Sequence, residues 1–184
     1  MRNGKIVIAE VGVGPLPMSY GALMWSRPDI HMIMFEPRPD YYLENLKAAN
    51  GRPNVELYNV AIGDDDGRLK LYDEGTSSSL EGVASPFAQH HKADPNTKPY
   101  FEVDVRRISH FDKGDIDILR VDTEGHEFAC LKYLVSRPQQ IVVEIYNDLA
   151  TYINPHLYEI NEWAAANGYK RQLVHDSDFT FIRS

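Results

Sequence analysis

The chain has 184 residues, 43% of them apolar and 25% charged, and 19 basic against 27 acidic residues give a formal charge of −8. This length suits one domain with its own core, and the acidic balance argues against nucleic acid, which requires clustered Lys and Arg. The lone Cys130 excludes an internal disulfide and a cysteine zinc site, while no apolar run approaches the ~20 residues of a membrane span.

The opening residues carry no secretory apolar region, so a cytoplasmic location is expected. Lys5 to Val11 reads as a buried central strand, apolar on both faces. A Gly/Pro-rich turn and a helix from about Met18 to Ser26 follow, then a strand over Ile30–Phe35. From Asp40 to Asn50, the residues Tyr42, Leu43, Leu46 and Ala49 share one helical face. Val55 to Ile62 reads as a third strand, and the turn Asp64-Asp65-Asp66-Gly67 leads into a half-exposed strand over 68–72. Residues 73–99 are irregular and read either as a functional loop with a short helix, covering the site, or as a mobile segment. Phe101 to Arg106 alternates as a half-exposed strand, and Asp117 to Val121 is a buried one. The next helix presents Phe128, Leu131, Leu134 and Val135 as its apolar face, and Gln140 to Tyr146 is another buried strand. Asn154-Pro155 opens a helix that Asn167-Gly168 closes, and two strands around His175–Asp178 form a final hairpin. Strands alternating with helices make an α/β chain with a mostly parallel sheet, covered by helices on both faces.

Three groups of residues could carry chemistry. The first strand runs into Glu10-Val-Gly12-Val-Gly14, where glycines let the backbone approach a ligand. A pyrophosphate fingerprint would place a third glycine where Pro17 stands, which weakens a nicotinamide or flavin reading. An acid at that strand end suits a cationic ligand such as S-adenosylmethionine; the alternative is a tight structural turn. Glu36 ends the second strand, the place where an acid accepts ribose hydroxyls in doubly wound folds. Asp122, Glu124 and His126 follow a buried strand onto the same sheet edge, with Glu144 emerging beside Asp122. Such a group could bind substrate, accept a hydroxyl proton or hold a divalent ion, although the spacing does not demand a metal. His90-His91, Tyr41-Tyr42, Trp25 and Cys130 read as loop, rim or packing residues rather than chemistry.

Glu-Val-Gly-Val-Gly (10–14) with Ser19, Phe-Glu-Pro-Arg-Pro (35–39) with Leu46 and Val-Ala-Ile-Gly-Asp (60–64) with Gly67 stand in order along the chain. The patch Ser77–Leu80, Leu-Arg-Val-Asp-Thr-Glu-Gly-His-Glu (119–127) with Leu131-Lys132, and Val-Glu-Ile (143–145) complete the series. Together they resemble the FkbM-type S-adenosylmethionine-dependent methyltransferases from about residue 6 to 146. The resemblance implies a Rossmann-like class I methyltransferase domain over 1–184, with a seven-stranded sheet whose C-terminal hairpin supplies the antiparallel strand. It also implies methyl transfer to a hydroxyl oxygen of a small molecule or glycan. Carried over by position, Glu10, Gly12, Gly14 and Ser19 would hold the amino-acid part of the cofactor, and Glu36 with Pro37 the ribose. Ala61 and Ile62 would lie at the adenine, and Asp122 and Glu124 beside the methyl group. Family members commonly carry Asn at the position of Gly14 and glycine at that of Leu16.

For the reaction itself, Asp122 and His126 are the candidate bases, with Glu124 and Glu144 orienting them or binding substrate. The acceptor site is expected to be completed by the loop from Thr76 to Pro99 or by a second subunit. The rival is a catalytically silent nucleoside-binding or partner protein that keeps the fold.

Overall fold

A computed structural model describes residues 4–16, 24–82, 98–145, 153–175 and 177–184. Five parallel strands form the heart of the main sheet: β1 (Ile6–Val11), β2 (Ile30–Phe35), β3 (Val55–Tyr58), β8 (Ile118–Val121) and β9 (Gln140–Glu144). The C-terminal hairpin, β10 (Tyr169–His175) and β11 (Asp178–Arg183), joins through β11, which runs antiparallel to β9. The spatial order is β10-β11-β9-β8-β1-β2-β3. The order reverses between β1 and β8, and ligands of open α/β sheets bind over the strand ends at such a switch point.

Strand alternation sends side chains to two cores. Val7, Ala9, Val11, Ile33, Phe35, Leu119, Val121, Ile141 and Val143 point to one face, where α2 (Glu127–Lys132) contributes Cys130 and Leu131 and α3 (Leu157–Ala166) contributes Ile160 and Ala164. Met32 and Met34 point the other way, against Trp25 and Ala49 of α1 (Pro39–Ala49). The mostly parallel seven-stranded sheet with helices on both faces is the architecture expected from the alternation of elements.

Several sequence expectations are corrected. The strand expected over 55–62 splits, because after β3 the chain leaves the sheet and β4 (Ala61–Ile62) pairs with β7 (Tyr100–Arg106) instead. The half-exposed strands belong to a separate four-stranded sheet, in which β7 lies between β4 and β5 (Gly67–Tyr72) and β5 pairs outward with β6 (Ser79–Leu80). On α1, Leu43 and Leu46 are 52% and 44% exposed, and the buried positions are Asn45 and Ala49. Val135 is likewise exposed, because α2 ends at Lys132 before its apolar face can extend that far. The helix expected at Pro155 begins at Leu157, after a turn in which the His156 N–H donates to Asn154 Oδ1. Ser19, most of the helix expected near Met18–Ser26, and His90-His91 lie outside the described residues.

Among the described residues no helix is long and apolar enough to cross a membrane. Cys130 is fully buried and its thiol is pushed up by that burial, in keeping with packing. Within the acidic turn each carboxylate has a side-chain partner: Asp64 meets Lys132, Asp65 meets Arg107 and Asp66 meets the His110 ring.

Candidate active site

A cavity of about 530 Å³ opens over the carboxyl ends of β1, β2, β8 and β9. Its floor is the turn after β1. The Gly12 N–H donates to the Phe35 carbonyl at 3.0 Å, and Gly12 has φ +80°. A Cβ at this position would fall 1.7 Å from the carbonyl oxygen of Asp122, so only glycine fits. Gly14 has φ +68°, but a Cβ there would meet nothing within 4 Å. An asparagine tolerates this left-handed conformation, so glycine here departs from the family pattern without steric consequence.

Glu36 stands at the tip of β2, 4% exposed. Its carboxylate accepts the Gly14 N–H at 2.7 Å and the Arg38 N–H at 2.8 Å. Burial pushes its pKa up to about 7, and the two N–H donors oppose that rise. Asn45 closes the arrangement from α1, donating its amide to the Gly14 and Tyr41 carbonyls at 2.8 Å each. This explains why a polar residue occupies a buried position of that helix. Pro37, Ala61 and Ile62 also line the cavity, with Leu71, Thr76, Ser78 and Leu80 of the second sheet and its loop facing them. The start of the irregular segment therefore reaches the site, while residues 83–97 lie outside the described residues.

The opposite wall is acidic. β8 and β9 run in register with Val121 beside Val143, so the residues that follow, Asp122 and Glu144, emerge side by side. Glu124 sits in a turn with φ +52°, a conformation uncommon for a residue with a side chain. Burial pushes Glu124 up to about 8, helped by the charges of Asp122, Glu144 and Glu127. Glu144 is also raised, first by burial and then by Asp122, while the Ser177 hydroxyl donates to it at 2.9 Å. The turn is held from below by Glu127, which is buried. It accepts the Gly125 N–H at 2.6 Å and the Asn154 amide at 3.0 Å.

Two sequence candidates stand apart from the Asp122–Glu124–Glu144 group, and a third falls outside the described residues. Glu10 is 1% exposed and lies beneath the cavity rather than in its wall, 3.6 Å from Arg120. His126 lines the cavity beside Gly63, outside the Asp122–Glu124–Glu144 group, and burial lowers its pKa. Ser19 is not among the described residues.

Sequence reasoning missed Arg120, which donates to Asp122 at 3.0 Å, and Arg38, which pairs with Asp40 of α1 and reaches Asp73 and Ser78 beside the second sheet. The signal for both was an arginine two residues from an acid at a strand end. Ser177 and Asp178 were read only as turn residues, and their place beside β9 depends on the antiparallel pairing of β11.

A parallel sheet with this switch point, a reversed strand near its edge and a ligand-sized cavity over the glycine turn define a Rossmann-like class I methyltransferase fold. Solved structures agree on the fold. A precorrin-6y C5,15-methyltransferase from Geobacter metallireducens superposes with a TM-score of 0.50 at 16% identity, over 98% of this chain and 81% of that one. Aeropyrum pernix fibrillarin, solved with natively bound S-adenosyl-L-methionine, gives 0.51 at 13% identity, over 97% of this chain and 65% of that one, just under two thirds of its length. No curated protein sequence matches the chain significantly. A family model of the methyltransferase FkbM domain matches residues 10–171. The chain belongs to this family of S-adenosylmethionine-dependent methyltransferases.

Proposed function

We propose that the protein is a single-domain O-methyltransferase that methylates a hydroxyl of a small molecule or glycan. The observation that carries this reading is the joining, in one cavity, of a glycine turn and buried Glu36 with the paired carboxylates of Asp122 and Glu144. The cradle fits the donor, because the positions where its amino-acid part and ribose would rest are a backbone surface without Cβ atoms and an acid with free lone pairs.

When bound, S-adenosylmethionine supplies a methyl group on a sulfonium, which is a strong leaving group. Gly12 and Gly14, with Ser19 in the same segment, hold the amino-acid end. Glu10, paired with Arg120, fixes that guanidinium at the edge of the amino-acid end. Glu36 accepts ribose hydroxyls beside Pro37, and Ala61 with Ile62 forms the apolar wall for the base. Asp122 takes the acceptor's proton, with Glu144 and Glu124 orienting the acceptor. His126, kept neutral by burial, is the second candidate for that proton. Positioning of the acceptor oxygen supplies much of the rate. A second subunit or the segment after Thr76 covers the acceptor side.

Calorimetry with S-adenosylmethionine and S-adenosylhomocysteine tests the donor half; absence of binding to folded protein overturns the reading. A panel of hydroxylated acceptors tests the other half. Donor binding without transfer to any member supports the silent partner protein instead.

A further inference from the structure

We infer that Asp122, Glu124 and Glu144 form a site for a hard divalent cation of Mg²⁺ to Ca²⁺ size on the acceptor side of the cleft. One carboxylate oxygen from each residue lies within 4.8 Å of the others. Oxygens on opposite sides of a Ca²⁺ at ~2.4 Å are ~4.8 Å apart, and for Mg²⁺ the figure is ~4.2 Å. The upper bound on the group's span matches a Ca²⁺ shell, a Mg²⁺ ion would draw the oxygens closer, and a purely oxygen donor set selects hard ions over zinc or copper.

The second observation concerns Glu124 alone. Its residue is 7% exposed, it lines the cavity, and, while Ser77 hydrogen-bonds the carboxyl, its Oε2 is buried with no hydrogen-bond partner among the described residues. Burying a carboxylate oxygen without a donor is costly, and a cation in the cavity removes that cost.

Among the described residues the nearby cations are already committed. Among the described cavity residues the cationic ones are Arg38 and Arg120. Arg38 is committed to Asp40 and Asp73. Arg120 reaches both Glu10 and Asp122, so one guanidinium serves two acids before Glu124 and Glu144 are considered. Three protein oxygens leave positions open on a six- to eight-coordinate ion, where an acceptor hydroxyl can bind. That use rests on the methyl-transfer reading, but the binding of the ion does not.

The test is Mn²⁺ titration of the purified full chain without donor, followed by electron paramagnetic resonance, with Mg²⁺ and Ca²⁺ as competitors. One bound equivalent is expected, weakened at least about tenfold in Glu124→Gln and in Glu144→Gln. The exposed Asp65→Asn should bind as the unmodified chain does. Thermal melting and S-adenosylhomocysteine calorimetry on each variant establish that it is folded. No Mn²⁺ binding at millimolar concentration by folded protein overturns the proposal, as does equal weakening in Asp65→Asn or none in the two glutamate variants. Retained S-adenosylhomocysteine binding without Mn²⁺ binding defeats the ion site alone. Mn²⁺ binding without S-adenosylhomocysteine binding defeats the methyl-transfer reading and leaves the ion site standing.

Discussion

At the β1 and β2 side of the cleft, the buried Glu36 carboxylate accepts two backbone N–H groups, and its neighbours Gly14 and Asn45 are tied to one another. At the β8 and β9 side, Asp122, Glu124 and Glu144 crowd together, and an oxygen of Glu124 finds no donor. Both sides bury acid, but only the first satisfies it internally. A carboxylate pinned by a backbone N–H on each oxygen is a fixed template, with lone pairs left for a ligand that is the same in every turnover. A crowded, under-paired group keeps a large electrostatic demand for whatever enters, which suits proton transfer or cation binding.

The strongest way to break this contrast is to join the two sides by collision. Gly12→Ala places a methyl group against the Asp122 carbonyl and forces a left-handed backbone on alanine. A loss of about 4 kcal/mol is expected from overpacking and strain together, read by chemical denaturation, along with lost S-adenosylhomocysteine binding. A stability near that of the unmodified chain would mean that the two turns are free to part.

Next, Asp122→Asn should lower turnover about 100-fold or more and leave S-adenosylhomocysteine affinity within about twofold, the mark of a proton acceptor. Loss of affinity with turnover preserved would exchange the roles of the two sides.

Glu36→Ala should weaken donor binding about tenfold or more, the scale of hydrogen bonds to a charged group. Its pH behaviour sharpens the comparison. The folded chain holds this proton up to about pH 7, whereas the ordinary value is 4.5. Between those values the folded state binds the extra proton, so stability from this group is complete below 4.5 and lost as pH rises through about 7. Donor affinity should move oppositely, rising with pH as the ionised acid becomes the better acceptor. In Glu36→Gln both slopes should flatten, measured by melting and calorimetry between about pH 5 and 8.

The smallest effect is expected for Ser177→Ala, which removes one hydroxyl from Glu144. A destabilisation of about 1 kcal/mol, seen as a melting shift of a few degrees, would fit a peripheral support.

Much of this contrast was legible in the sequence. Continuous β-branched runs and acids at their ends placed Glu36, Asp122, Glu124 and Glu144 at one sheet edge before any coordinates. What stayed hidden is what local patterns do not encode. Alternation in 68–72 and 101–106 reports a half-exposed strand but not its partner, so the pairing that makes a second sheet is not legible in it. Helical periodicity assigned Leu43 and Leu46 to the interior, yet Asn45 is buried because its amide serves a turn 31 residues upstream. Glu10 looked like a wall residue because its strand position was right; its burial follows from Arg120 on the adjacent strand.

The C-terminal hairpin has a consequence for how the molecule comes into being. Gly12 meets Asp122, and Glu144 is completed by Ser177, the residue just before β11. The acidic wall therefore depends on partners distant along the chain, Gly12 before it and Ser177 after it. Loop closure of that span is slow and entropically costly. A nascent chain would carry the donor turn and Glu36 well before it could assemble a competent acceptor side, so catalytic competence should appear late and nearly all at once during refolding.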